Sequence, residues 1–188
     1  MTGDQTCAAF DSLSRARAGD TAAFAALVRQ HQRLVYSLAL RMLTDRYRAE
    51  DLAQDVFLQL HRKLAVIESA AHLKFWLRKV TTHLAIDRLR QEHRHEAVPL
   101  DDDPGIECEA IETDPLLHRR LHEFVAQLSP AARAVVVLRF QEDMDPSDIA
   151  ETLDMSVNTV KSHLRRSLEA LREKFQGATG ADAKAASP

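Results

Sequence analysis

The sequence predicts an all-α protein built from two small helical domains joined by a flexible acidic linker, the C-terminal domain being a helix-turn-helix. Three observations lead to this prediction. Apolar residues recur every three or four positions, and no alternating strand pattern occurs. Glycine and proline are few, at five and six in 188 residues. Residues 96–114 interrupt the helical pattern with eight acidic residues and no lysine or arginine, which is typical of an extended linker.

These boundaries predict one domain over residues 1–95 and a second over residues 115–176, with the linker over residues 96–114. The last twelve residues, 177–188, are rich in alanine, glycine, serine and lysine. Such a composition cannot bury a core, so we expect a disordered tail.

Two predicted helices open the N-terminal domain. Asp20 or Thr21 is a suitable N-cap for the first, whose apolar residues recur at helical spacing from Phe24 to Met42. A turn near residues 44–46 precedes the second, which we predict over residues 49–64. Its core stripe consists of Leu52, Val56, Leu60 and Leu64.

The opposite face of this second helix is acidic. Its candidate partner-binding residues are Asp51, Gln54, Asp55 and Phe57, accompanied by Glu50 and Leu58. Carboxylates and an amide beside apolar groups suit docking against a basic helix of a partner. A merely solvated acidic face explains the same spacing equally well.

A third helix is predicted over residues 71–94. Its core-facing residues are Leu73, Trp76, Leu77, Val80, Leu84 and Leu89, with Ile86 near the edge. The residues expected outside the core are Arg78, Lys79, Thr82, His83, Arg88 and Arg90. Cations, hydroxyls and an aromatic ring suit contact with single-stranded or melted DNA. The preceding loop, residues 66–70, is small and polar enough to receive an extruded base.

The C-terminal domain contains a helix-turn-helix pattern over residues 145–175. Asp145 is a suitable N-cap for its first helix, Pro146 occupies the first helical position, and Asp154 and Met155 form the turn. Ser156 then caps a second helix with an apolar stripe. That stripe is Val157, Val160, Leu164, Leu168 and Leu171, and the first helix contributes Ile149, Ala150 and Leu153.

The second helix of this pattern carries a polar and basic face. Its candidate DNA-binding residues are Asn158, Thr159, Lys161, Ser162, Arg165 and Arg166. Amide, hydroxyl and guanidinium groups on one side of a packed helix are what reading of the major groove requires. The alternative is an ordinary helical hairpin with a solvated basic face.

The net charge of −3 conceals an uneven distribution. Residues 74–95 hold six basic and two acidic residues, and residues 157–174 hold five basic and two acidic residues. Two basic patches separated by the acidic linker form the electrostatic pattern of a nucleic-acid-binding protein.

Several other classes of function are disfavoured by the sequence. No nucleophile–base pair, metal cluster or phosphate loop is visible, so we expect neither an enzyme nor a bound cofactor. His118 and His122 are four residues apart but lack further ligands, and we expect no metal site there or at residues 101–103. Cys7 and Cys108 lack a CxxC partner, and no signal peptide or membrane-spanning run occurs. We therefore expect free thiols in a cytoplasmic protein.

Four segments of the chain resemble, in order, motifs of the extracytoplasmic-function (ECF) sigma factors of bacterial RNA polymerase. The segments read DLAQDVFLQLHRKL, FWLRKVTTHLAIDRLRQ, LSPAARAVVVLRF and IAETLDMSVNTVKSHLRRSLEALR. The resemblance extends over roughly residues 19–175, most of the chain. Four ordered motifs are more specific than a single helix-turn-helix pattern.

The resemblance implies a role for each candidate surface. Asp51, Gln54, Asp55 and Phe57 correspond to the surface that binds the clamp helices of the largest polymerase subunit. The helix of residues 71–94, with the loop before it, corresponds to the part that melts and reads the −10 element. Lys161, Ser162, Arg165 and Arg166 correspond to contacts with the −35 element. The linker corresponds to the segment that enters the RNA-exit path of the polymerase.

Three positions depart from the family pattern. His83 stands where many relatives have asparagine, which leaves the −10 base preference open. Residues 142–145 read Glu-Asp-Met-Asp where relatives often have Glu-Gly-Leu-Ser. Asp154 occupies a turn position that favours glycine, although aspartate can adopt a left-handed conformation at some cost.

The sequence thus predicts an alternative sigma factor that binds core RNA polymerase and promoter DNA. The resemblance further implies control by an anti-sigma factor, often membrane-bound in this family. The alternative is a conventional helix-turn-helix regulator whose N-terminal domain senses a signal or dimerises.

Overall fold

The structure, a computed structural model, describes residues 12–95 and 115–185, with side chains for residues 12–92 and 119–174. It divides into two compact units, Met1–Gly105 and Ile106–Pro188. Every regular element of the described residues is helical, which confirms the predicted fold class. The acidic linker over residues 96–114, Cys7 and Cys108 lie outside the described residues.

Unit 1 begins with a short helical segment over residues 12–17 that the sequence did not predict. Three long helices follow, and a 3-10 turn over Leu64–Val66 precedes the last of them. The helices are α1 (Thr21–Leu43), α2 (Arg46–Lys63) and α3 (Ala70–His95). Helix α1 packs against both α2 and α3, which also contact each other.

The first two helices of unit 1 begin at aspartates. One carboxylate oxygen of Asp20 accepts hydrogen bonds from the N–H groups of Ala22 and Ala23, at 2.9 and 3.0 Å. The bond from Ala23, with that from Arg15, lowers the pKa of Asp20 below its ordinary value. Asp45 caps α2 by accepting from Arg48 N–H at 2.9 Å. This cap explains why α2 starts at Arg46, before the predicted residue 49.

The core of unit 1 forms where the apolar stripes of its helices meet. The predicted stripe of α2 is confirmed, since Leu52, Val56 and Leu60 are fully buried and Leu64 is 6% exposed. The burial of α3 is wider than one stripe, because α1 and α2 both pack on it. Ile86, predicted near the edge, is buried, whereas Trp76, Val80 and Leu84 are only half-buried.

The described part of unit 2 contains four helices, and three of them start with proline. Proline is suited to the first helical position because the N–H that it lacks would have no partner within the helix there. The four helices are α4 (Pro115–Gln127), α5 (Pro130–Gln141), α6 (Pro146–Thr152) and α7 (Val157–Ala185). Helices α5 and α6 both pack against α7. The buried Arg133 donates a hydrogen bond to the carbonyl of Ala126, which ties α5 to the end of α4.

Helix α7 differs from the prediction at both ends. Val157, assigned to the core stripe, is 38% exposed because it is the first residue of the helix, and packing begins one turn later at the fully buried Val160. The tail predicted as disordered continues the helix to Ala185. Alanine-rich sequence favours helix despite two glycines in this stretch.

Candidate functional site

The start of α7 is organised by two hydroxyl groups. Ser156 Oγ accepts a hydrogen bond from Thr159 N–H at 3.1 Å, as the predicted N-cap requires. The Thr159 hydroxyl lies 2.8 Å from the same oxygen. The cap therefore already engages the Thr159 hydroxyl, which leaves its methyl group as the more available surface.

Five of the six candidate residues on α7 are exposed, and Ser162 is half-buried. Arg165 pairs with Glu169 one turn later, with 3.4 Å between guanidinium and carboxylate. Arg166 forms no ion pair within the described part of unit 2. The structure thus presents a polar and basic face, with Arg166 its most available guanidinium group.

Two left-handed residues shape the turns around α6. Asp154 has a φ of 51°, and Met155 N–H donates to the carbonyl of Ala150 at 3.0 Å. Asp143, in the turn before α6, has a φ of 50°. In the family that the sequence resembles, glycine is frequent at this position, and the left-handed conformation of Asp143 is one that favours glycine.

The turn before α6 is held by Arg139. Its guanidinium donates to the carbonyl of Met144 at 3.0 Å and lies 3.7 Å from the carboxylate of Asp145. Asp145 occupies the predicted N-cap position of α6, but its side chain accepts no hydrogen bond from the helix. The prediction of a side-chain cap at Asp145 is therefore wrong, because the carboxylate is directed towards Arg139.

The strain at Asp143 can be tested by substitution. We expect Asp143→Gly to retain or raise thermal stability and Asp143→Ala to lower it by about 1 kcal/mol, because alanine is strained in the left-handed region. Thermal melting of the full chain measures both. In Asp148→Gly, a control within α6, glycine should instead be destabilising. Equal loss for the two Asp143 variants would mean that its side chain, rather than its backbone, matters.

Helix α2 presents the acidic face that the sequence predicted. Asp51, Gln54 and Asp55 are exposed and Phe57 is half-buried. Tyr47, which is 74% exposed, was not among the predicted residues of this face, and Leu58, predicted to accompany them, is 57% exposed. Tyr47, Asp51, Gln54 and Leu58 follow one another at steps of four, three and four residues, so they share one helix face. This spacing could have identified Tyr47 and Leu58 from the sequence.

Asp55, a predicted polymerase-binding residue, pairs with Arg88, a predicted DNA-binding residue. The guanidinium of Arg88 on α3 lies 2.5 Å from the carboxylate of Asp55 on α2 and donates to the carbonyl of Arg48 at 3.0 Å. Arg48 in turn pairs with Glu92. Burial lowers the pKa of Arg48, and the neighbouring charge of Arg88 lowers it further, while Asp45 raises it. Asp55 and Arg88 therefore help to join α2 to α3.

The remaining candidates on α3 differ in accessibility. Arg78, Lys79 and His83 are half-buried, whereas Arg90 is exposed and lies 3.9 Å from Asp87. Thr82 is fully buried, and its hydroxyl donates to the carbonyl of Arg78 at 2.6 Å. The prediction that Thr82 lies outside the core is wrong, since α3 is covered on more than one side.

No metal site emerges from the described residues. Among residues 12–95 and 115–185, no three His, Cys, Asp or Glu side chains form a group that could hold a metal ion. His122 is half-buried, and the side chain of His118 lies outside the described residues. Within the same ranges, no helix has the length and apolar character to span a membrane.

Two family models match the chain, one in each unit. Sigma-70 region 2 matches residues 27–95, and Sigma-70, region 4 matches residues 118–171. Together they cover more than half of the chain.

Among similar proteins are three ECF RNA polymerase sigma factors. SigE of Mycolicibacterium smegmatis is 34% identical over 166 residues, covering 82% of this chain and 63% of SigE. SigL of Mycobacterium tuberculosis is 30% identical over 168 residues, covering 87% of this chain and 95% of SigL. SigW of Bacillus subtilis is 25% identical over 185 residues, covering 87% and 95%. The chain therefore spans less than two thirds of SigE but nearly all of SigL and SigW.

Two solved structures share the fold. One is the sigma factor RpoE in complex with the anti-sigma factor NepR from Bartonella quintana, with a TM-score of 0.68, 19% identity, and coverage of 81% of this chain and 96% of RpoE. The other is CnrH in complex with the cytosolic domain of CnrY, with a TM-score of 0.62, 21% identity, and coverage of 93% and 99%.

Proposed function

The chain belongs to the ECF sigma factors of bacterial RNA polymerase, and on this premise we propose that α2 docks on core polymerase while α3 and α7 read promoter DNA. The protein is an alternative sigma factor that directs core RNA polymerase to a class of promoters. The observation that carries this function is the match of both sigma-70 regions, in order, to the two compact units.

The exposed groups of each surface support this division of roles. On α2, the carboxylate of Asp51 stands between exposed Tyr47 and Leu58, a combination that suits a basic partner helix with apolar neighbours. On α7, the exposed polar face suits the major groove at the −35 element. Arg78, Lys79 and His83 on α3 are the candidates for the −10 element, with exposed Arg90 beside them.

We infer two further properties. The protein supplies specificity rather than a reaction of its own, and the catalytic chemistry belongs to the polymerase that it binds. It acts in the bacterial cytoplasm, where polymerase and chromosome are found. Initiation at the same promoters by core polymerase without this protein would contradict the first inference. Recovery of the protein in the membrane fraction or the culture medium would contradict the second.

Run-off transcription tests the proposed function. Core RNA polymerase plus this protein should yield discrete transcripts from fragmented genomic DNA, and their upstream sequences should share two elements. Core enzyme alone is the control. If the protein instead binds promoter DNA tightly without core enzyme and yields no transcripts with it, a conventional helix-turn-helix regulator is the better description.

We also propose that an anti-sigma factor controls this protein by covering α2. In one of the solved complexes named above, RpoE is bound to the anti-sigma factor NepR. In this chain, the exposed aromatic and aliphatic groups of Tyr47 and Leu58 form a surface that a partner can cover. Amide hydrogen exchange with the inhibitor bound should show protection in α2, and protection confined to the C-terminal tail would contradict this proposal.

A further inference from the structure

The helical segment of residues 12–17 lies outside the matched sigma-70 region 2, which begins at residue 27. The segment is nevertheless part of the packed unit, because Leu13 is 2% exposed and Ala16 is 6% exposed. At its end, the exposed Arg17 donates a hydrogen bond from its guanidinium to the carbonyl of Ala65 at 3.1 Å, across 48 positions of sequence. The segment therefore reaches the loop that precedes α3.

That loop, Leu64 to Ser69, is held at both ends. Leu64 and Ile67 are buried anchors, and Ile67 N–H donates to the carbonyl of Leu64 at 3.2 Å. At the other end, Ser69 Oγ accepts from His72 N–H at 3.1 Å, and His72 Nδ1 accepts from Glu68 N–H at 3.3 Å. These two bonds resemble a capping box with histidine in the place of the usual glutamate or glutamine, except that His72 accepts from the residue before the N-cap.

Between these anchors, the loop faces solvent. Val66 is 57% exposed, and Ala65 and Glu68 are also exposed. The hydrogen bond from Arg17 reaches the 3-10 turn Leu64–Val66 from a distant part of the described chain. Arg17 thus adds a tie between the exposed middle of the loop and the rest of the unit.

We propose that Arg17 is a positioning residue for promoter melting, which holds the loop of residues 64–69 ready to receive a base extruded from the −10 element. The proposal rests on the proposed function, in which α3 reads that element, and on the resemblance to ECF sigma factors, which assigns the loop before α3 to the same task. Extruding a base costs the energy of unstacking, and a loop that also had to become ordered would add to that cost. A loop ordered beforehand binds the base more tightly and rejects wrong bases better.

The test compares three variants of the full chain in complex with core polymerase. Arg17→Ala removes the bond to Ala65, and Arg17→Lys keeps a cation that can donate to the same carbonyl. Arg15→Ala is the matched control. Arg15 is also exposed and lies in the same helical segment, but its guanidinium pairs with Asp20 at 2.7 Å. Each complex is titrated with single-stranded −10 oligonucleotides that vary one base at a time, and with a panel of −35 variants.

We expect Arg17→Ala to lose about two- to tenfold in base discrimination at one −10 position, the range expected for one hydrogen bond. Arg17→Lys should recover most of this discrimination, Arg15→Ala should resemble the wild type, and the −35 panel should not change. Circular dichroism should show equal helicity for all variants.

Three results would overturn the proposal. Wild-type discrimination in Arg17→Ala would remove the positioning role. A uniform loss over all positions with a salt slope smaller by about one would make Arg17 a direct phosphate contact instead. An equal loss in Arg15→Ala would indicate general loosening of the segment. Failure of the wild-type protein to support core-dependent transcription would instead refute the proposed function, so the two failures are distinguishable.

Discussion

Asp51→Lys should lose at least tenfold in affinity for core RNA polymerase, about 1.4 kcal/mol, while its helicity stays unchanged. Asp51 is exposed on α2 and forms no ion pair within the described residues of unit 1. Reversal of its charge therefore removes no ion pair among the described residues, but it places a cation against the basic helix expected of the partner. Like charges brought together at an interface cost several kcal/mol.

The matched control for this prediction is Asp87→Lys. It makes the same charge change in the same unit, on α3, at a carboxylate that is 64% exposed and only loosely paired, at 3.9 Å, with Arg90. Pull-down and fluorescence titration with core enzyme measure both variants. If Asp51→Lys binds core enzyme as tightly as Asp87→Lys does, α2 is not the polymerase-binding surface.

Asp55 needs a different treatment from Asp51, although the resemblance to ECF sigma factors assigns both to the polymerase contact. A lysine at position 55 would lie against Arg88, which now pairs with the Asp55 carboxylate at 2.5 Å. Loss of polymerase binding in Asp55→Lys could then come from a loosened contact between α2 and α3. Asp51→Lys alone tests the interface, and Asp55→Lys should additionally lower the melting temperature.

Arg166→Ala should cost about 1–3 kcal/mol at one position of the −35 element and relax the preference there. Arg166 is exposed on the face of α7 opposite its buried stripe, and no described carboxylate pairs with it. Its guanidinium is therefore available for two hydrogen bonds to a guanine edge. The measurement is holoenzyme binding to a panel of single-base −35 variants at two salt concentrations.

Lys161→Ala provides the comparison for Arg166. Lys161 is also exposed but lies nearer the buried edge of α7, where we expect it to contact phosphate. Its removal should weaken binding evenly across the panel and reduce the salt slope by about one. If Arg166→Ala changes neither affinity nor base preference nor salt slope, α7 does not read the −35 element as proposed.

Local patterns in the sequence were sufficient for most of the helices. Ser156 was predicted as a cap, and Asp20 as one of two candidates with Thr21, because a short polar side chain before an apolar period can bond to nearby N–H groups. The stripe of Leu52, Val56 and Leu60 is buried as predicted, since residues three and four apart share one helix face. These properties depend on neighbours within about one turn.

The tertiary structure decided which polar residues remain available for partners. Thr82 is buried because α3 packs on more than one side, and periodicity within α3 does not contain the position of its neighbours. Asp55 and Arg88 are 33 positions apart, and Arg17 and Ala65 are 48 apart. The sequence by itself determined most of the helices, the cap at Ser156, the helix-turn-helix and the resemblance to the family. Only the packing of helices against one another brings such distant groups within hydrogen-bond distance. That packing decided which candidate residues are buried or paired within the unit and which remain exposed.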